Sequence, residues 1–313
     1  MAENIGIEMN DKIGKAMEGW LYRYKKNNVK ASTFDRLLES HKVLCGHQIS
    51  QIRLFELCTA DIQHFVNKLA ESGYSLSTIR KEFHLLSSFI RFVIGEGLPI
   101  RAAHMNVALP KQEHILQPTK QALAYEPDEQ ERLRQAIAKS PLVGAKAALL
   151  MMETGARVGE VLALRWSDIL WQKRAMRIHA TLVHPGSRKR CFVQEGAKSR
   201  SSNRTIPLSS RAMDMLSAMP RQDGGFVITA SDGVSSLGYN ALRNQLVELC
   251  AAANVEYRGA HVFRHTFATN AFYKGCDIKI LSKLLGHASV TITYNTYIHL
   301  YGDALEEMRS IVG

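Results

Sequence analysis

Leu284-Leu285-Gly286-His287 and, ten positions after that histidine, Tyr297 within Thr296-Tyr297-Ile298-His299 decide how this chain is read. Upstream lie His261-Val262-Phe263-Arg264, then Lys198, then Thr154-Gly155-Ala156-Arg157-Val158-Gly159-Glu160. A tyrosine with two arginines, two histidines and a lysine suits attack on a phosphodiester. Tyrosine can act as a covalent nucleophile, but with a pKa near ~10 its phenol is weak at neutral pH. A base must take its proton, and cations must hold the charge that builds on phosphorus.

The 313 residues suffice for two domains, and 46% hydrophobic with 22% charged residues is ordinary for a globular protein. A net charge of +11 calls for a polyanionic partner. Residues 173–204 concentrate it, with nine basic side chains against the single acid Glu195. Cys45, Cys58, Cys191, Cys250 and Cys276 are scattered and never spaced as C-x-x-C, so reduced thiols are expected rather than a zinc module. The first ten residues, MAENIGIEMN, carry no basic start or apolar run, and the densest apolar stretch, Ala147 to Met152, is too short to span a bilayer. No membrane partner and a cytoplasmic location are expected. Gly196-Ala197-Lys198-Ser199 lacks the rest of a phosphate-binding loop, and no H-E-x-x-H, acidic metal cluster or G-x-G-x-x-G occurs. Neither a cofactor nor a metal is therefore expected.

Hydrophobic spacing predicts a helical domain over 10–108, a polar, proline-punctuated linker over 109–124 and a second domain over 125–313. Ile13, Met17, Leu21 and Tyr24 form one stripe; Ile62, Phe65 and Leu69 follow a cap at Thr59. The strongest helix covers 75–95, with Ser77 as its cap, a stripe of Ile79, Phe83, Leu86, Ile90 and Val93, and Gly95 at its end. Its Arg80, Lys81, His84 and Arg91 suit a DNA groove or a solvated face. In the second domain, Glu126-Pro127-Asp128-Glu129 is suited to a helix start, and Gly155 breaks the helix over 144–153. Short strands are expected over 175–182, 190–194 and 203–208, and helix again from about Asn240.

Thr154-Gly-x-Arg-x-x-Glu-x-Leu-x-Leu-x-Trp-x-Asp168, Lys198 before Arg204-Thr-Ile-Pro-Leu208, His261-x-x-Arg264-His-Thr-Phe-Ala-Thr, Leu285-Gly-His287 and Thr296-Tyr-x-His299 together resemble the tyrosine site-specific recombinases, the phage-integrase family. The first domain is similar to that family's helical core-binding domain through Ser77-Thr78-Ile79-Arg80. The resemblance implies a mainly α fold with a small antiparallel β-sheet, in which a helical core-binding domain and a catalytic domain form a C-shaped clamp on DNA. It implies cleavage and rejoining through a 3′-phosphotyrosyl intermediate and a Holliday junction, independent of metal and ATP. The partners implied are double-stranded DNA with inverted half-sites, three further copies of the chain in a tetramer, and an accessory directionality protein. A nucleoid-associated location follows from the same resemblance.

Within it, Tyr297 is the expected nucleophile, with Tyr294 its rival. Arg157 and Arg264 suit the two non-bridging oxygens, because guanidinium groups are planar and permanently charged. His261, one turn before Arg264, is the expected base. Lys198 matches the family's general acid, and His287 is placed to bond a phosphate oxygen. Glu160 is expected to orient the basic side chains. Arg188, Lys189, Arg190, Arg200 and Arg204 are further expected DNA contacts. The segment after Tyr297, with Leu305, Met308, Ile311 and Val312 on one stripe, is expected to dock on a neighbouring protomer. Integration and excision of a phage or mobile element is the expected role. A Xer-type resolvase of chromosome or plasmid dimers shares the chemistry, and a catalytically inert DNA-binding protein is the reading from another class. Only about ten residues precede the first expected helix, which favours either a simpler system than integrases with an added arm-binding domain or a truncated chain.

Overall fold

A computed structural model of the chain describes residues 6–111, 113, 124–184, 191–196 and 203–297. The chain divides after Gln121 into two compact units, within the stretch expected as a linker.

The first unit is helical: α1 (Ile13–Trp20), α2 (Ala31–Cys45), α3 (Thr59–Glu71) and α4 (Leu76–Gly95). Ile13, Met17, Trp20, Phe65, Leu86, Phe89 and Ile90 make its core. The expected first stripe holds as far as Leu21 and then fails, since Tyr24 is exposed. The reason is a π turn over Leu21–Lys25, whose wider winding rotates the following residues off the buried face. Two caps also differ from expectation. Ser75, in extended backbone, accepts from the Thr78 amide, while Ser77 lies inside α4. Cys58 precedes α3 and its amide donates to Asp61, which leaves Thr59 as the first helical residue. Arg80, Lys81, His84 and Arg91 are all exposed on α4. At 100° per residue Arg80, His84 and Arg91 share one face, with Lys81 to its side.

The second unit contains α5 (Pro127–Lys139), α6 (Val143–Thr154), α7 (Val158–Ala163), β1 (Ile169–Leu170), β2 (Ala175–Ile178), β3 (Ala180–Val183), β4 (Phe192–Glu195) and β5 (Arg204–Pro207). After them come α8 (Ser210–Ala218), α9 (Tyr239–Ala252), α10 (Ala260–Tyr273), α11 (Ile278–Leu285) and α12 (Val290–Tyr297). Helix α6 is buried almost all round, from Ala145 to Met152, and forms the centre of the core with Leu133, Leu162, Leu246 and Phe263. Its apolar density is that of a central core helix; among the described residues no helix is long and apolar enough to cross a membrane.

The single sheet expected is in fact two small antiparallel ones, β1-β2-β5 and β3-β4. The strand expected over 175–182 is interrupted at His179, whose ring turns to Asp168 instead of continuing the pleat. Strand β2 then pairs with β5, Ile178 opposite Arg204, and β3 with β4. That register delivers Arg204 to the edge of the site.

Candidate active site

Helix α6 ends at Thr154, and Gly155 takes a left-handed conformation with φ +66°. The reversal sets Arg157 at the start of α7, where its amide donates to Glu160 Oε2. Its guanidinium donates to Glu160 Oε1 at 2.9 Å and to the Gly286 carbonyl at 2.9 Å. Arg264 on α10 donates to the carbonyls of Gly155 at 2.7 Å and Leu285 at 2.8 Å. Arg204 grips both oxygens of Glu160, at 3.0 and 2.8 Å, and donates to the Leu284 carbonyl at 2.6 Å. Three consecutive carbonyls at the end of α11, on Leu284, Leu285 and Gly286, thus each receive a different arginine. A helix C-terminus leaves such carbonyls without intrahelical partners and carries a partial negative charge, so it holds cations well.

Glu160 is the anionic counterweight. Burial pushes its carboxyl up, but Arg204 and Arg157 outweigh burial and hold it below the usual carboxylate range. It orients the basic side chains, as its spacing from Arg157 suggests. Arg204, expected as a DNA contact, belongs instead to this interior network, with only 7% of its side chain exposed. Each of its three guanidinium nitrogens donates to a protein oxygen.

His287 receives a hydrogen bond from Arg264 at Nε2, 2.9 Å away, and its Nδ1 lies 2.7 Å from Thr293 Oγ1. A guanidinium has no acceptor, so Nε2 must be the lone-pair nitrogen and Nδ1–H the donor to Thr293. Burial and the neighbouring Arg264 push this imidazole down to about 4, which agrees with the neutral tautomer. His287 thus links Arg264 to α12. Burial, Arg264 and Arg157 likewise lower His261. Arg264 itself is lowered to about 9, first by burial and then by Arg157, and remains cationic at neutral pH.

Arg157, Glu160, His261, Arg264 and His287 line one cavity of about 680 Å³, whose wall also includes His179 and Thr181. Asp168, buried, accepts from Arg177 at 3.1 Å and lies 2.9 Å from His179 Nε2. The aspartate that ends the first motif block thus holds His179, which lines the cavity, and Arg177.

Tyr297 lies on α12, 3% exposed, packed with Ala268, Leu281 and Leu285. Its hydroxyl is 3.2 Å from Nδ1 of His265, and the two rings stack with centroids 5.2 Å apart. Burial pushes the phenol up to about 12, against the opposing pull of Arg264. Tyr294, one turn earlier, is 45% exposed. The proton of Tyr297 was expected to go to His261; the imidazole beside the hydroxyl is that of His265. The signal was present in the sequence, since His265 follows Arg264 directly and stands one helical turn after His261. Lys198, Arg188, Lys189, Arg190 and Arg200 lie outside the described residues, as does the segment after Tyr297. Among the described residues no group of three His, Cys, Asp or Glu is placed to hold a metal ion.

The motif blocks thus bring Arg157, His261, Arg264 and His287 to one cavity, while Tyr297 is buried beside His265 and is not among the residues that line it. The chain belongs to the phage integrase family, whose pattern matches residues 124–303, and is a tyrosine recombinase, an enzyme that transfers DNA strands. It is 27% identical to a XerC-like tyrosine recombinase of Caldanaerobacter subterraneus subsp. tengcongensis over 92% of this chain and 79% of that protein. It is 25% identical to the tyrosine recombinase XerD of Rickettsia conorii over 90% of this chain and 91% of that protein. The fold is that of the Tn1549 transposon integrase in complex with circular intermediate DNA, with a TM-score of 0.79 at 19% identity, covering 96% of this chain and 99% of that one. It is shared also with a lambda integrase tetramer bound to a Holliday junction, with a TM-score of 0.69 at 18% identity over 93% and 81%.

Proposed function

We propose that the protein binds double-stranded DNA at a site of two inverted half-sites, cuts each strand through Tyr297, and exchanges strands through a Holliday junction in a tetramer. The observation that carries this reading is the convergence of Arg157, Arg264 and His261 on one cavity, with the Tyr297 hydroxyl 3.2 Å from His265, the residue next to Arg264 on α10. Phosphodiester attack places negative charge on two non-bridging oxygens, and two guanidinium groups fixed by Glu160 and by helix-end carbonyls stabilise it without reorganising. Arg157 and Arg264 take that role, and neutral His261 donates a further hydrogen bond to the phosphate. Lys198 protonates the 5′-oxygen that leaves. The phosphotyrosyl link keeps the energy of the diester, so rejoining draws on neither ATP nor metal.

On this reading the strand exchange serves integration or excision of a phage or mobile element. A second reading, resolution of chromosome or plasmid dimers, is supported by the XerC and XerD relatives, which align with most of this chain. One assay addresses both. Plasmids carrying two copies of the bound site, taken from DNA flanking the gene, are incubated with the full chain in a chelator and without nucleotide. Recombinant circles and four-way junctions are expected, and none with Tyr297→Phe. Products that persist with Tyr297→Phe, or that appear only with added metal or ATP, would refute the mechanism. Joining of separate molecules favours the integrase role; conversion of head-to-tail dimers alone favours the resolvase.

A further inference from the structure

The hydrogen bond and the stacked contact between His265 and Tyr297 have no part in the roles assigned so far. His265 is adjacent to Arg264 on α10, so the turn that anchors Arg264 against Gly155 and Leu285 also sets the imidazole beside the phenol. His261, which lies toward the other end of that turn, opens on the cavity with Arg157 and Arg264. Burial raises the phenol and so opposes its ionisation; the nearby Arg264 charge only partly offsets this. A nucleophile in that position needs an acceptor already within hydrogen-bond reach when it attacks.

We propose that His265 is a second catalytic histidine, which accepts the Tyr297 proton at Nδ1 as the phenolic oxygen attacks phosphorus and leaves His261 to the phosphate. The inference rests on the reading of Tyr297 as nucleophile. In cleavage the Tyr297 O–H bond breaks and its proton passes to Nδ1, while the tyrosyl O–P bond forms. The P–O5′ bond breaks with its electron pair on oxygen, which takes a proton from Lys198. In rejoining the 5′-hydroxyl attacks phosphorus and returns its proton to Lys198, and the His265 imidazolium returns its own to the phenolate. The cycle consumes no proton. It requires the tautomer with hydrogen on Nε2 and a lone pair on Nδ1.

The test measures covalent adduct formation by the full chain on a nicked suicide duplex, with DNA binding followed separately by gel shift. His265→Phe keeps a ring against Tyr297 and removes the acceptor. His265→Asn keeps a polar group to hold the hydroxyl but takes no proton at neutral pH. Both are expected to bind DNA like the parent and to form adduct roughly 100-fold more slowly. Their rates should go on rising in alkaline buffer, where the parent has levelled off, because the phenol must then ionise without a base. Adduct formation at or above the parent rate in His265→Phe overturns the proposal, and so does full recovery in His265→Asn, which would leave His265 a positioning residue. Should the larger ring disturb DNA binding, His265→Asn decides by the same criteria. The parent reading fails separately: if Tyr297→Phe still forms adduct, the nucleophile is another residue. Loss in Tyr297→Phe beside normal cleavage in both His265 variants defeats the proton-acceptor role alone.

Discussion

Glu160 shows how little of the site is held by surface chemistry. It is 5% exposed, and it accepts from the amide and guanidinium of Arg157 and from both ends of the Arg204 fork. Removing one partner of a buried ion pair costs about 3–5 kcal/mol because the other charge is left without compensation. Glu160→Ala is therefore expected to lower unfolding stability by about that much in urea titrations and to abolish strand cleavage, whereas an unchanged midpoint would show Arg204 satisfied elsewhere. His287 supplies a pH dependence. Its folded value of about 4 lies below the 6.5 of free imidazole, so the unfolded chain takes up the proton first. Stability should fall as pH drops from about 6.5 towards 4 and be indifferent to this group above neutrality. His261, lowered in the same direction, adds to the effect. Denaturation midpoints across that range test it, and a His287→Gln variant with the same acid slope as the parent would contradict it. That Arg157, His261, Arg264 and His287 would share one cavity could be expected because each sits in a local motif block. The true place of Arg204 could not, because its partner Glu160 lies 44 residues away along the chain and nothing local marks the pairing.

The turn between α6 and α7 is the element on which the cavity depends. Gly155 has φ +66°, and a Cβ there would lie 2.4 Å from Phe267 Cδ1 and 2.9 Å from Leu285 Cδ2. Gly155→Ala should cost about 1–3 kcal/mol in overpacking, with about 1–2 kcal/mol more for the left-handed backbone. A thermal melt should register it as a clear drop in Tm, together with slower strand transfer through displaced Arg157. A neutral Tm would mean that the turn relaxes freely and does not fix the arginine. Helix existence was legible from spacing at this scale: α4, α5 and α6 stand close to where their stripes and breaks put them. What spacing could not supply were interruptions imposed from outside the element. The π turn at Leu21–Lys25 moves Tyr24 to the surface, and at His179, whose ring meets Asp168, the expected strand divides between two sheets.

The whole molecule joins two units with separate cores, one helical and one carrying the catalytic residues. The exposed Arg80, His84 and Arg91 face of α4 belongs to the first, and the arginine-lined cavity to the second. In the sequence a polar, proline-bearing stretch separates the apolar stripes of the two parts. On the reading proposed above, this molecule joins itself to DNA through one particular tyrosine. That reading is tested most directly by trapping the full chain on a nicked suicide duplex, digesting protein and DNA, and locating the nucleotide-bearing peptide by mass spectrometry. A 3′-nucleotide attached to Tyr297 is expected, and no adduct from Tyr297→Phe. A nucleotide on Tyr294 or any other residue, or tight binding to the true site with no adduct at all, would contradict the reading.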